Sequence, residues 1–153
     1  MIIRPSTPQI LRDLQVEVER EILPLMPDAV SKMRVQMLLA VLGNCAVRSA
    51  HEIAWMTQEI TEIVDYARDV ADAVDAEARR PIMFRLEAIH TVDSLHLDGV
   101  AASYSRAGFA LSAALDAAMD AYLNDLVLRG EALLRARVTR EQEIAGGSAT
   151  TGR

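Results

Sequence analysis

Apolar residues recur along this chain at steps of three and four, the spacing of one helix face, and almost nowhere at the alternating spacing of a half-buried strand. Leu11, Leu14, Val18, Ile22 and Leu25 form a first stripe, with Arg12, Glu19 and Arg20 left for solvent. Ser6 with Gln9 three residues on, or Thr7 before Pro8, supplies a start near residue 7, and Pro24 and Pro27 supply an end. Asp28 then caps the longest proline-free run, which extends to Arg80 before Pro81. Within it Val30, Met33, Met37, Leu38, Val41, Leu42 and Cys45 repeat at helical spacing. Leu39 and Val47 broaden that face, so the pattern predicts a central helix buried on more than one side.

A single helix over 28–80 would be roughly 75–80 Å long at 1.5 Å per residue, too long for one compact domain of this size. A break is therefore expected between Gly43 and Ser49, where Gly43-Asn44 offers a stop and Ser49-Ala50-His51-Glu52 a new capping box. The third helix then runs from Ile53 through Ile60, Ile63, Ala67, Val70 and Val74 to Pro81. A fourth occupies 82–97, and Asp98-Gly99 reads as a turn. The fifth extends over 100–143 with alanines at helical spacing, and Gly130 is a candidate kink within it. The prediction is an all-α antiparallel helical bundle of about five helices, forming a single domain over 1–143 with a disordered tail over 144–153.

Composition supports that class. Of 153 residues 51% are apolar but only 4% aromatic, so the core must be built from aliphatic side chains and alanine, as in packed helices. Cys45 is the only cysteine, which excludes an internal disulfide and fits a reducing, cytoplasmic setting. The longest apolar run, 37–47, is too short to span a bilayer, and a net charge of −6 disfavours nucleic acid and anionic lipid as partners. The charge is uneven: residues 126–153 hold five Arg against three Glu, whereas the body is acidic.

Candidate chemistry is sparse. Glu59, Glu62, Asp65, Asp69, Asp72 and Asp75 follow at steps of three or four, which predicts an outward carboxylate stripe on the third helix and a candidate surface for a protein partner. Glu87 and His90 have the Glu-x-x-His spacing that puts a carboxylate and an imidazole on one metal, with His51, Asp93 and His96 as further candidates. That spacing is strong only when a second Glu-x-x-His lies on another helix, and the chain has none; a solvated histidine is the plainer reading. His90 also stands where helical phosphotransfer domains carry their histidine, but Asp93 and Ser94 replace the lysine and glycine of that motif. Cys45 on an apolar stripe reads as a buried, inert thiol, and no Gly-rich phosphate loop or nucleophile elbow is present. No cofactor is expected.

Arg4-Pro5-Ser6, the amphipathic run to Glu21-Ile22-Leu23-Pro24, and Arg34-Val35 opening an apolar helix together resemble a small bacterial helical family. Its genes neighbour aminoglycoside-phosphotransferase-like kinases and acyl-CoA dehydrogenases. In the levulinate-pathway member the small protein is the accessory partner of a kinase acting on hydroxyacyl-CoA. The resemblance implies a non-catalytic accessory subunit of a kinase-like enzyme of acyl-CoA metabolism. The alternatives are a helical-bundle metalloprotein or small enzyme using Glu87 and His90, and a homo-oligomer joined through the alanine-rich face.

Overall fold

The computed structural model describes residues 4–89 and 95–146. They form an all-α bundle of five helices with no strand among them: α1 (Thr7–Glu17), α2 (Ala29–Ala73), α3 (Ala76–Glu87), α4 (Leu97–Asp120) and α5 (Asn124–Gly146). No helix among these residues is long and apolar enough to cross a membrane. Contacts divide the chain into two compact units, residues 1–52 with 138–153, and residues 53–137.

In the first unit, α1 starts as expected: the Gln9 side-chain oxygen accepts from the Ser6 backbone N–H at 2.9 Å, and Pro8 lies in the first turn. Pro24 has no N–H to offer the carbonyl four residues back, and the chain loosens ahead of it. Val18–Ile22 is a π-turn in which the Leu23 N–H reaches back five residues to Val18, and Leu23–Leu25 is a 3-10 turn. Asp28 caps α2, accepting from the Ser31 backbone N–H at 2.9 Å and from its hydroxyl at 2.8 Å. The Ser31 N–H, followed by the Ser31 hydroxyl, holds the Asp28 carboxyl below its usual pKa.

The expected break between Gly43 and Ser49 does not occur; α2 is continuous through it. The would-be stop residues are satisfied inside the helix. Ser49 Oγ donates to the Ala46 carbonyl at 3.1 Å instead of capping a new start. The Asn44 amide is assigned the orientation that satisfies both its ends, in which its nitrogen donates to the carbonyls of Ala40 at 3.2 Å and Ile144 at 2.8 Å. Arg48 joins Glu52 and, at 3.3 Å, Glu141 of α5. Ile144, placed in the tail by sequence, is buried in the last turns of α5, while 147–153 lie outside the described residues.

The first unit also overturns the expectation of a buried central helix. Leu39, Gly43 and Ala46 are buried, but Val30, Met33, Met37, Leu38 and Val41 are exposed, and so is Cys45. Leu14, Ile22 and Leu25 of the first stripe are exposed too.

The second unit is the one with a dense core. Ile63, Ala67 and Val70 of α2 are fully enclosed, as are Ile82 of α3 and Val100, Ala107 and Ala114 of α4. Alanines at steps of three and four let helix axes approach closely, and α4 supplies most of them. Here the chain punctuation differs from expectation. The stop lies at Asp75, not at Pro81: its extended backbone ends one helix, and its carboxylate accepts from the N–H groups of Glu77 and Ala78, both at 2.9 Å, to start α3. Pro81 sits inside α3, and that helix ends at Glu87 instead of continuing to 97. Asp98 and Gly99 belong to the first turn of α4 rather than to a turn between helices.

The long helix expected over 100–143 is two helices. At the end of α4 the Leu123 N–H reaches the Ala118 carbonyl at 2.9 Å and the Tyr122 N–H that of Met119 at 3.0 Å, a Schellman-type stop. It places Tyr122 at φ 56°, where glycine is usual. Gly130 produces no break in α5. It is a close-packing position, where an added Cβ would lie 2.5 Å from the Tyr66 hydroxyl and 2.8 Å from Leu115 Cδ1.

Candidate functional site

The carboxylate series was expected to face outward as one stripe; Glu62, Asp65, Asp69 and Asp72 lie within about 80° of one another around α2, but Glu59 does not share their face. Steps of three lag a 3.6-residue turn by about 60° each, so the run from Glu59 to Asp72 winds about 140° around α2. Glu59 consequently points inward, 3% exposed, and meets Arg137, whose Nε donates to its Oε1 at 2.7 Å. The Arg137 guanidinium lies over the Tyr104 ring, 5.0 Å from its centroid. Burial first, and then the Glu59 carboxylate, pushes the Tyr104 hydroxyl above its usual pKa. This cluster fixes an arginine between a carboxylate and an aromatic face, and offers no free acid or base to a substrate.

The remaining members are engaged more loosely. Asp69 accepts from Arg129 at 2.8 Å, Asp72 pairs with Arg79 at 3.1 Å, and Asp65 lies 3.8 Å from Arg68. Glu62 accepts from Gln58 Nε2 at 2.7 Å. Asp75 is the cap of α3 described above. A shallow cavity of about 320 Å³ is lined by Glu62, Asp65, Tyr66, Arg129, Ala132 and Leu133. The Tyr66 hydroxyl is buried with no hydrogen-bond partner among the described residues, and burial raises its pKa. The exposed members of the series are thus Asp65, Asp69 and Asp72, each paired with an arginine of the same unit, and Asp75, the cap of α3.

Of the metal candidates, Glu87 is exposed in the last turn of α3, whereas His90 and Asp93 lie outside the described residues. His51 is on α2 in the first unit, and His96 precedes α4 in the second. Among the described residues, no three His, Cys, Asp or Glu side chains are grouped to hold a metal ion. Cys45 is an exposed thiol, not the buried one expected.

The feature that sequence reasoning assigned to the core is the bare apolar face of the first unit. Val30, Met33, Met37 and Val41 lie within about 80° of one another around α2, and the buried Leu39, Gly43 and Ala46 lie on its opposite side. Periodicity found the face, but no pattern in the chain indicates what covers it. No family model matches the chain, and neither does any curated protein or solved structure.

Proposed function

We propose that the protein is a non-catalytic accessory subunit that works by binding other protein surfaces. The observation that supports this reading is the run of exposed large apolar side chains from Ile10 to Val41, including Met37 at 63% and Leu25 at 74% exposure. Scattered apolar residues are ordinary on a protein surface, but a stripe several turns long marks an interaction face. The partner class comes from the N-terminal resemblance: a kinase-like enzyme of acyl-CoA metabolism. The second unit, with fourteen acidic against eight basic side chains in residues 53–137, keeps an acidic excess beyond the arginine pairs of Asp65, Asp69 and Asp72, and suits a basic patch on such an enzyme.

Copurification from the native host tests the reading. A stoichiometric enzyme should accompany the wild-type chain and be reduced by reversing Asp65 and Asp72 to lysine. A chain that persistently purifies without any enzyme contradicts the proposal.

A further inference from the structure

Charge divides between the two units as sharply as burial does. Residues 1–52 and 138–153 carry eight basic and eight acidic side chains, whereas residues 53–137 carry eight and fourteen, so the whole net charge of −6 falls on the second unit. The unit with the bare apolar face is electrically neutral. A second copy of an acidic protein is ordinarily repelled; here the net charge belongs to the other unit, and the unit that exposes the stripe carries none. An apolar face also matches itself, which is the requirement of a two-fold interface in which the same surface is used on both sides.

Size points the same way. Val30, Met33, Met37 and Val41, which share one side of α2, are each more than half exposed. Together they offer on the order of 400 Å² of apolar surface, about half of the roughly 800 Å² per partner of a standard interface and enough for its apolar centre. Anionic lipid and nucleic acid find no excess of positive charge on this unit.

We infer that the apolar face of the first turns of α2, carried by Val30, Met33, Met37 and Val41, is a homodimer interface, closed by the same face of a second copy of this chain. The inference rests on the reading of that face as an interaction surface and names its occupant. The dimer so formed presents two acidic units to other partners.

The test is sedimentation of the full chain, wild type and Met37→Glu/Val41→Glu. Both positions are exposed within the chain, so the substitutions should leave the helical circular dichroism unchanged while placing charge in the interface. The wild type should sediment as a dimer, and the variant should dissociate with a Kd at least about a hundredfold higher. An independent reading is alkylation of Cys45, on the exposed side of α2. Its rate should fall as wild-type concentration rises and stay constant in the variant. A wild type that remains monomeric at about 100 μM, or a dimer indifferent to both substitutions, overturns the inference. Copurification separates the two ideas: a monomer that still brings down an enzyme leaves the accessory reading standing, and a dimer without an enzyme removes that reading alone.

Discussion

Two stretches of α2 with the same apolar period meet opposite fates. From Ile60 to Ala71 the apolar positions are enclosed by α3 and α4 side chains in the second unit's core. From Val30 to Val41 equally apolar positions face outward, and among the described residues of the first unit the buried apolar side chains are Leu39, Ala46 and Ile144. The difference lies in what each stretch has to pack against. The alanine-rich α4 and the enclosed Ile82 of α3 give the later segment close neighbours, while the earlier one has a covered side at Leu39, Gly43 and Ala46 and a bare side opposite. An apolar face that the described residues leave exposed is what the proposed assembly would cover.

Truncation should expose that contrast most strongly. Ile82→Ala in the second unit removes a fully buried side chain and should cost about 2–5 kcal/mol in denaturant unfolding. Met37→Ala should change the stability of the isolated monomer by no more than about 0.5 kcal/mol. Equal losses at the two positions would break the comparison.

The class of fold was legible because long aliphatic stripes at helical spacing in a chain poor in aromatics leave few alternatives to packed helices. Helix boundaries were less so, because several signals compete and tertiary contacts choose among them. Ser6 and Asp28 capped as expected, but Gly43-Asn44 lost its stop when Asn44 found the Ile144 carbonyl, a partner a hundred residues away in the chain. Asp75 was counted with the carboxylate stripe although its backbone ends one helix and its side chain starts the next. For the candidate site, the steps of three between carboxylates already contained the rotation that turns Glu59 inward. The identity of its partner, Arg137, depends on α5 packing and was not readable from spacing. Burial failed as a prediction for the opposite reason: the apolar stripe was correctly located, yet periodicity is the same for a core and for an interface.

A second contrast concerns how tightly the denser unit is packed. Gly130→Ala introduces a Cβ against the buried Tyr66 hydroxyl and Leu115, and should destabilise by about 1–3 kcal/mol. Because the Tyr66 hydroxyl has no partner among the described residues, Tyr66→Phe should be close to neutral by itself and recover part of the loss in the double variant. Additive losses in that thermal or denaturant cycle would show that the hydroxyl is not the obstacle.

Between α4 and α5 the expected sign reverses. Tyr122 is 86% exposed and stands in the left-handed region, so Tyr122→Gly should stabilise the second unit by about 1 kcal/mol, read as a higher unfolding midpoint.

The smallest effect belongs to the first unit and depends on pH. The carboxyl of Asp28 has its folded pKa below the ordinary 3.8, mainly through the Ser31 backbone N–H. Its contribution to α2 is therefore present above pH 3.8 and is lost as pH falls through the lower folded value. Helical signal from the first turns of α2 should decline in acid over that window, and Asp28→Ala should erase the step.

Hydrogen exchange at two protein concentrations, followed at the amides of α2, tests the central contrast most directly. Amides from Ile60 to Ala71 should be strongly protected at both concentrations, since their core lies within the chain. Those from Val30 to Val41 should exchange faster in dilute protein and gain protection as concentration rises, because a second copy covers them. Protection at Val30–Val41 that is high in dilute solution and independent of concentration would contradict the account.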